Sequence, residues 1–169
     1  MSTPGSDEVD RLVAAWQHER PDLDTSPMEV LSRVTRLARH LDLARREAFE
    51  THGLETWEFD VLTALRRAGS PYQLSPGRLL RETMVTSGTM TNRVDRLATK
   101  GLVVRMPDPE DRRGVLVSLT AEGRARVDAA LEGLLEQEHR LLDSLSTAQR
   151  ESLAAMLRTV VAPFDDDAT

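Results

Sequence analysis

Two consecutive arginines, Arg112 and Arg113, stand between Asp111 and Gly114 in a polar connector that separates two short β-branched runs. A guanidinium held out on such a tip suits a narrow minor groove of duplex DNA, where the negative potential is enhanced. Asp111, two residues before Arg113, can pair with that guanidinium and keep it extended, a wing-orienting role. Upstream, Ser87, Gly88, Thr89, Thr91 and Asn92 form a run of small polar residues. Asparagine can read adenine with two hydrogen bonds, and serine or threonine can contact several bases or phosphates. With Ser75 and Arg96, these residues make up the candidate DNA-contact set.

The charge distribution agrees with a polyanionic partner, although the chain as a whole does not. Its 169 residues carry 22 Lys plus Arg against 28 Asp plus Glu, a net charge of −6. Yet the stretch from Arg66 to Arg113 has ten basic and five acidic residues, a net +5 that leaves −11 for the rest. Such polarity suggests one face aimed at phosphates and other surfaces repelled by them. A chance cluster of surface arginines is the plainer alternative.

Catalytic chemistry finds no foothold. There is no glycine-rich phosphate loop, no HExxH and no GxSxG, and His18, His40, His52 and His139 lack metal-ligand spacing. The absence of cysteine excludes a disulfide framework, a thiolate zinc site and a thiol switch. No enzyme activity, metal or cofactor is expected. The acidic, polar N-terminus has no secretory signature, and no apolar run approaches the roughly 20 residues of a membrane span, so a soluble cytoplasmic protein with no membrane partner is expected.

The elements that must position the arginines and the polar run are mostly helical. Val9, Leu12, Val13 and Trp16 mark a short amphipathic helix ending at Arg20-Pro21. Ser26-Pro27-Met28-Glu29 reads as a capping box that opens a long helix, ended at His52-Gly53. Helices follow over Leu54 to Arg67, from Ser75-Pro76 through Leu80, and from Thr86 or Ser87 to Lys100. The period then becomes alternating in Leu102–Met106 and Gly114–Leu119, which predicts a hairpin around Pro107 to Arg113. Thr120 opens another long helix with Val127, Leu131, Leu134, Leu135, Leu141, Leu142 and Leu145 inward. Ser146 to Gln149 caps a last helix through Val160, and Phe164 to Thr169 reads as a loose acidic tail.

Three short helices followed at once by a ribbon is the order of a winged helix-turn-helix. At 100° per residue, Met90, Val94 and Leu97 share one stripe that must face the core. Gly88, Asn92, Asp95 and Thr99 then point the opposite way, as on a DNA-reading helix. A merely solvated helix face would have the same composition.

The stretches LETWEFDVLTALRRAG, SPGRLL, TSGTMTNRVDRLATKGLVVR, PDPEDRRGVLVSLT and AEGRA, from Leu54 to Ala125, resemble the core of the MarR family of bacterial transcription regulators. The resemblance extends to the flanking helices, and the DRRG wing followed by VLVSLTAEG is its specific part. It implies a mainly α fold with a small β-hairpin wing over residues 1–169. In that arrangement residues 8–53 and 120–162 supply the dimerisation helices, and residues 54–119 form the winged helix-turn-helix lobe. It further implies a homodimer on double-stranded DNA at a pseudo-palindromic operator, usually as a repressor, with the arginine matching Arg113 in the minor groove. The aliphatic surface of the outer helices independently favours a two-fold dimer, which would set two reading helices about 34 Å apart. A monomer with self-packed helices and a protein-interaction winged helix remain alternatives.

A narrower resemblance concerns an effector. The extra N-terminal helix with Trp16, and Asp60, Arg93 and Arg105, resemble the signature of the urate-responsive branch of the family. This implies a small anionic effector in a pocket between the dimer helices and the wing. Arginine forks onto an anion, indole stacks on its plane and aspartate accepts from ring N–H groups. Related regulators respond to tricarboxylates such as trans-aconitate, or to aromatic carboxylates, and the residues do not choose among them. His40, beside the apolar stripe of the long helix, lies near the place where urate-responsive relatives have a histidine stacked on its symmetry mate. It is a candidate pH sensor, with a core-edge histidine as the alternative.

Overall fold

The computed structural model describes residues 5–83, 85–109, 111 and 114–165. It has seven helices and three short strands among these residues: α1 (Glu8–Glu19), α2 (Ser26–Glu50), α3 (Thr56–Arg67), β1 (Gln73–Leu74), α4 (Pro76–Thr83), α5 (Ser87–Thr99), β2 (Val103–Pro107), β3 (Val115–Leu119), α6 (Ala121–Leu141) and α7 (Thr147–Asp165). They form two compact units, residues 1–47 and 48–169. The mainly helical fold with a small antiparallel sheet is the one expected. No described helix is long and apolar enough to cross a membrane.

The first unit contains α1 and most of α2. Asp7 caps α1 by accepting from the Val9 and Asp10 N–H groups, and Asp10 returns the bond to Asp7. Arg33 of α2 forks onto both carboxylates, at 2.8 Å to Asp7 and 2.7 Å to Asp10, and Arg36 pairs with Glu8. The expected capping box at Ser26 does not form. The helix already includes Ser26, whose N–H donates to the Asp24 carboxylate at 2.9 Å. Aspartate two residues ahead reaches the open N–H group before the Ser26 hydroxyl is needed.

The second unit is built around one core, from Ala48 and Phe49 at the end of α2 through α3, α4, α5 and the sheet to Val127, Ala130 and Leu134 of α6. Phe49 stacks on Phe59 of α3 at 4.0 Å. The hairpin forms as expected, with Val103 opposite Leu119 and Pro107 opposite Val115. A strand not foreseen, β1, adds to the other edge of β3 by pairing Gln73 with Ser118 and Leu74 with Val117. Two residues are too few to show a sequence period.

The corner between the wing and α6 is tightly made. Thr120 Oγ1 donates to the Gly101 carbonyl at 2.8 Å and accepts the Gly123 N–H at 2.9 Å, capping α6. Gly123 lies so close to the strand entry that a Cβ there would sit 2.0 Å from the Leu102 carbonyl oxygen. Glycine is required here by space, since its backbone is ordinarily helical.

Two sequence expectations need correction. Leu131, Leu135 and Leu141 of α6, read as inward, are a third or more exposed, as are Leu157 and Val160 of α7 and Val30, Leu31, Val34 and Leu37 of α2. Helical periodicity marks an apolar face, not what covers it. The tail also begins later than expected, because α7 continues through Phe164 to Asp165.

Gly123→Ala should cost about 1–3 kcal/mol by overpacking, while Gly133→Ala, whose Cβ would meet nothing closer than 3.6 Å, should stabilise α6 by up to about 1 kcal/mol. Urea unfolding of the two variants checks the contrast. In the first unit Arg33, with help from backbone N–H groups, holds the Asp7 carboxyl down at about 2. Stability from this pairing is therefore complete above the ordinary value of 3.8 and is lost as pH falls through about 2. Arg33→Ala should move the Asp7 carboxyl titration, followed by NMR, up toward 3.8.

Candidate nucleic-acid interface

Helix α5 carries the expected two faces. Met90, Val94 and Leu97 are essentially fully buried, whereas Ser87, Gly88, Thr89, Thr91, Asn92, Asp95, Arg96 and Thr99 are exposed. Thr86 forms the N-cap, and its hydroxyl lies 2.9 Å from that of Thr89. The helix closes at Lys100, with Gly101 in the left-handed region at φ 71°. Burial of the stripe fixes the rotation of the helix, so the neutral polar residues of its first two turns are the ones presented outward.

Ser75 stands half-buried before α4, its Oγ 3.4 Å from the Arg78 N–H. On α4 itself, Arg78 and Arg81 are exposed and have no ion-pair partner among the described residues. Sequence reasoning counted them in the basic segment but did not single them out. Their signal was their place on the exposed face of an amphipathic helix immediately before α5.

At the wing, the Gly114 N–H donates to the Asp111 carbonyl at 2.8 Å, and the Asp108 N–H donates to the Gly114 carbonyl at 3.0 Å. A Cβ at Gly114 would lie 2.8 Å from Asp108 Cβ, so this glycine lets the tip close. Arg112 and Arg113 lie outside the described residues, and the wing-orienting role of Asp111 toward Arg113 therefore falls outside them too.

The charged residues of α5 are engaged by the protein's own groups. Arg96 donates to Glu55 Oε1 at 2.7 Å and lies 4.7 Å over the Trp57 ring. Arg93 lies 5.5 Å over the same ring, and the indole N–H donates to Glu55 Oε2 at 2.7 Å. That bond foremost, with Arg96 and Lys100 nearby, holds the Glu55 carboxyl below its ordinary value. Trp57, Gly88, Thr89, Asn92, Arg93 and Arg96 line a cleft of about 430 Å³. On the other flank, Arg105 of β2 pairs with Asp95 at 2.8 Å and reaches toward the Thr91 carbonyl at 3.4 Å, tying the wing to the helix.

The chain and its fold are similar to known proteins. Residues 52–114 fit the model of the MarR family. The HTH-type transcriptional regulator PecS of Dickeya dadantii (strain 3937) is 39% identical over 153 residues, 90% of this chain and 92% of that protein. The chain belongs to the MarR family. The repressor NicR of Pseudomonas putida is 31% identical, over 82% of this chain and 89% of that protein. A crystal structure of a mutant MarR from E. coli complexed with operator DNA is similar with a TM-score of 0.66, at 27% identity over 82% of this chain and 99% of that one. Family membership places the chain among the MarR-family transcriptional regulators, which are not enzymes.

The expected effector residues of this MarR-family chain are distributed over both units. Trp16 is exposed on α1 of the first unit, and His40 is exposed on α2. Asp60, half-buried on α3, Arg93 and Arg105 belong to the second. Within that unit the structure brings Arg93 to Trp57 and Arg105 to Asp95, two partners the sequence had not suggested for them.

Leu97→Ala should lower stability by about 2–5 kcal/mol through lost burial and a cavity, whereas Asn92→Ala should stay within about 0.5 kcal/mol of the parent. Equal losses in urea unfolding would mean that the two faces of α5 are misassigned.

Proposed function

We propose that this MarR-family regulator binds a pseudo-palindromic operator as a homodimer, represses transcription, and is released by a small planar anion of the urate or carboxylate kind. The observation that carries the DNA reading is the rotation of α5, whose sealed stripe leaves Ser87, Gly88, Thr89, Thr91 and Asn92 as an outward neutral polar surface. These residues suit base edges and phosphates in a major groove, with Ser75 nearby and Arg112 and Arg113 on the wing for the minor groove. A relative bound to operator DNA supports it, and a relative named as a repressor supports the sign of the output.

A two-fold dimer is supported by the exposed apolar faces of α2, α6 and α7, each presenting leucine or valine that its own unit leaves uncovered. Exposed apolar faces of this kind are suited to association. The release mechanism is linkage. Arg105 holds Asp95 and approaches the Thr91 carbonyl, and Arg93 rests on Trp57. An anion that draws either guanidinium to itself alters what holds the reading helix, and DNA and effector then oppose one another reciprocally. Trp16 and Asp60 complete the proposed recognition of a planar ligand, by stacking and by accepting ring N–H groups. His40 retains a proposed role as a pH-sensitive residue of the dimer.

A gel shift on the intergenic DNA beside the gene tests the DNA reading. Binding should weaken steeply with salt, and Arg113→Ala should reduce affinity roughly tenfold, about 1–3 kcal/mol. Unchanged affinity would remove the wing from the interface. Leu135→Glu should convert the dimer to monomer in sedimentation and abolish operator binding. Titration of tryptophan fluorescence with urate, citrate, trans-aconitate and salicylate identifies the effector class. A urate response that survives in both Asp60→Ala and Trp16→Phe would overturn the assigned residues.

A further inference from the structure

The most unusual charge in the second unit is Glu58, whose side chain on the first turn of α3 is fully buried. One oxygen, Oε2, accepts the Glu55 N–H at 3.0 Å and a hydrogen bond from Lys100 Nζ at 2.8 Å. The other, Oε1, has no hydrogen-bond partner among the described residues and lies 2.6 Å from the same ammonium. Neutralisation of this carboxylate thus depends on Lys100, which is the only lysine in a chain whose other basic residues are all arginine. A compact ammonium can stand between both oxygens, where a planar guanidinium fork asks for more room.

Lys100 is also the C-cap of α5, its backbone N–H bonded to the Arg96 carbonyl at 3.0 Å. One turn earlier, Arg96 is engaged by Glu55 and Trp57, from the same turn of α3 that supplies Glu58. Two successive cations on the rear half of the reading helix are therefore held by one helical turn of its neighbour. Removing either partner of a buried ion pair leaves an uncompensated charge, so the clasp resists sliding or rotation of α5.

Resting on the DNA-binding reading above, we infer that Lys100 and Arg96 are positioning residues: through Glu58, Glu55 and Trp57 they set α5 at the depth and rotation at which its neutral first turns read DNA. Neither serves as a phosphate contact. Arg96 therefore leaves the DNA-contact set into which its charge and exposure would place it. The cations that meet the backbone must come from elsewhere, and Arg78, Arg81 and the wing arginines are the available ones.

Salt dependence separates the two roles, because each lost phosphate contact reduces the slope of log affinity against log salt by about 0.9, and a displaced helix does not. Affinity of the full-length protein for a duplex of the intergenic DNA would be measured by anisotropy over a salt series, for the parent, Lys100→Gln, Arg96→Ala and Arg113→Ala. Lys100→Gln and Arg96→Ala should each bind about tenfold or more weakly with the parental slope, while Arg113→Ala should show the reduced slope. Glu58→Gln combined with Lys100→Gln replaces the ion pair by two amides that need no counter-charge. This double variant should bind more tightly than Lys100→Gln alone, and it keeps the test open if the single variant does not fold. A reduced slope in Lys100→Gln or Arg96→Ala, parental affinity in both, or no recovery in the double variant would overturn the inference. Failure of the parent protein to bind any such duplex at low salt would instead remove the DNA reading, and the clasp's proposed purpose with it.

Discussion

The burial of Met90, Val94 and Leu97 on a single side of α5 is the constraint on which the interface depends. A thirteen-residue helix with three apolar residues in register has one rotation that removes them all from water. Each contributes on the order of 1.5–3 kcal/mol when fully buried, far more than any exposed polar contact that could favour another rotation. Once the rotation is set, Ser87, Gly88, Thr89, Thr91 and Asn92 have no direction left but outward. The outward polar surface proposed to face DNA is thus chosen by the core beneath it.

Electrostatics then refines that placement instead of supplying raw attraction. Much of the positive charge counted between Arg66 and Arg113 is consumed within the second unit, where Arg66 meets Asp128, Arg67 meets Glu82, Arg96 meets Glu55, Lys100 meets Glu58 and Arg105 meets Asp95. Most of these pairs are substantially exposed and individually weak. Their common effect is geometric, since two of them fasten α5 to α3, one fastens it to the wing, one joins α3 to α4 and one joins α3 to α6. The Glu58–Lys100 pair differs, because its carboxylate has no access to water. A net charge read over a segment overstates the field it projects when its cations have partners on neighbouring elements.

The apolar faces left exposed on α2, α6 and α7 bear on the proposed homodimer, which would present a symmetric pair of α5 helices. These helices are long and amphipathic, yet their own unit covers only part of the apolar stripe. Association would bury the remainder and at the same time set the spacing of two α5 helices. Stability of the assembly and its fit to an operator would then rest on the same surfaces.

The sequence by itself determined the order of elements and their ends, because capping residues, glycines and hydrophobic period act over a few neighbouring positions. The start of α5 at Thr86 or Ser87, its end at Gly101, the capping of α6 by Thr120 and the strands of the wing were all legible on that basis. So was the outward face of α5, since a narrow apolar stripe leaves only one face for the rest. The two-residue strand β1 was not, since it has no period and exists only because β3 offers an edge. The partners of Arg93, Arg96, Lys100 and Arg105 were equally hidden, as each contact joins residues of different elements and arginines look alike in sequence. Tertiary structure decided that Glu58 would be buried and that Lys100 would meet it. It also decided that Gly123 would touch the Leu102 carbonyl, for close approach between elements is a property of packing that no local pattern encodes.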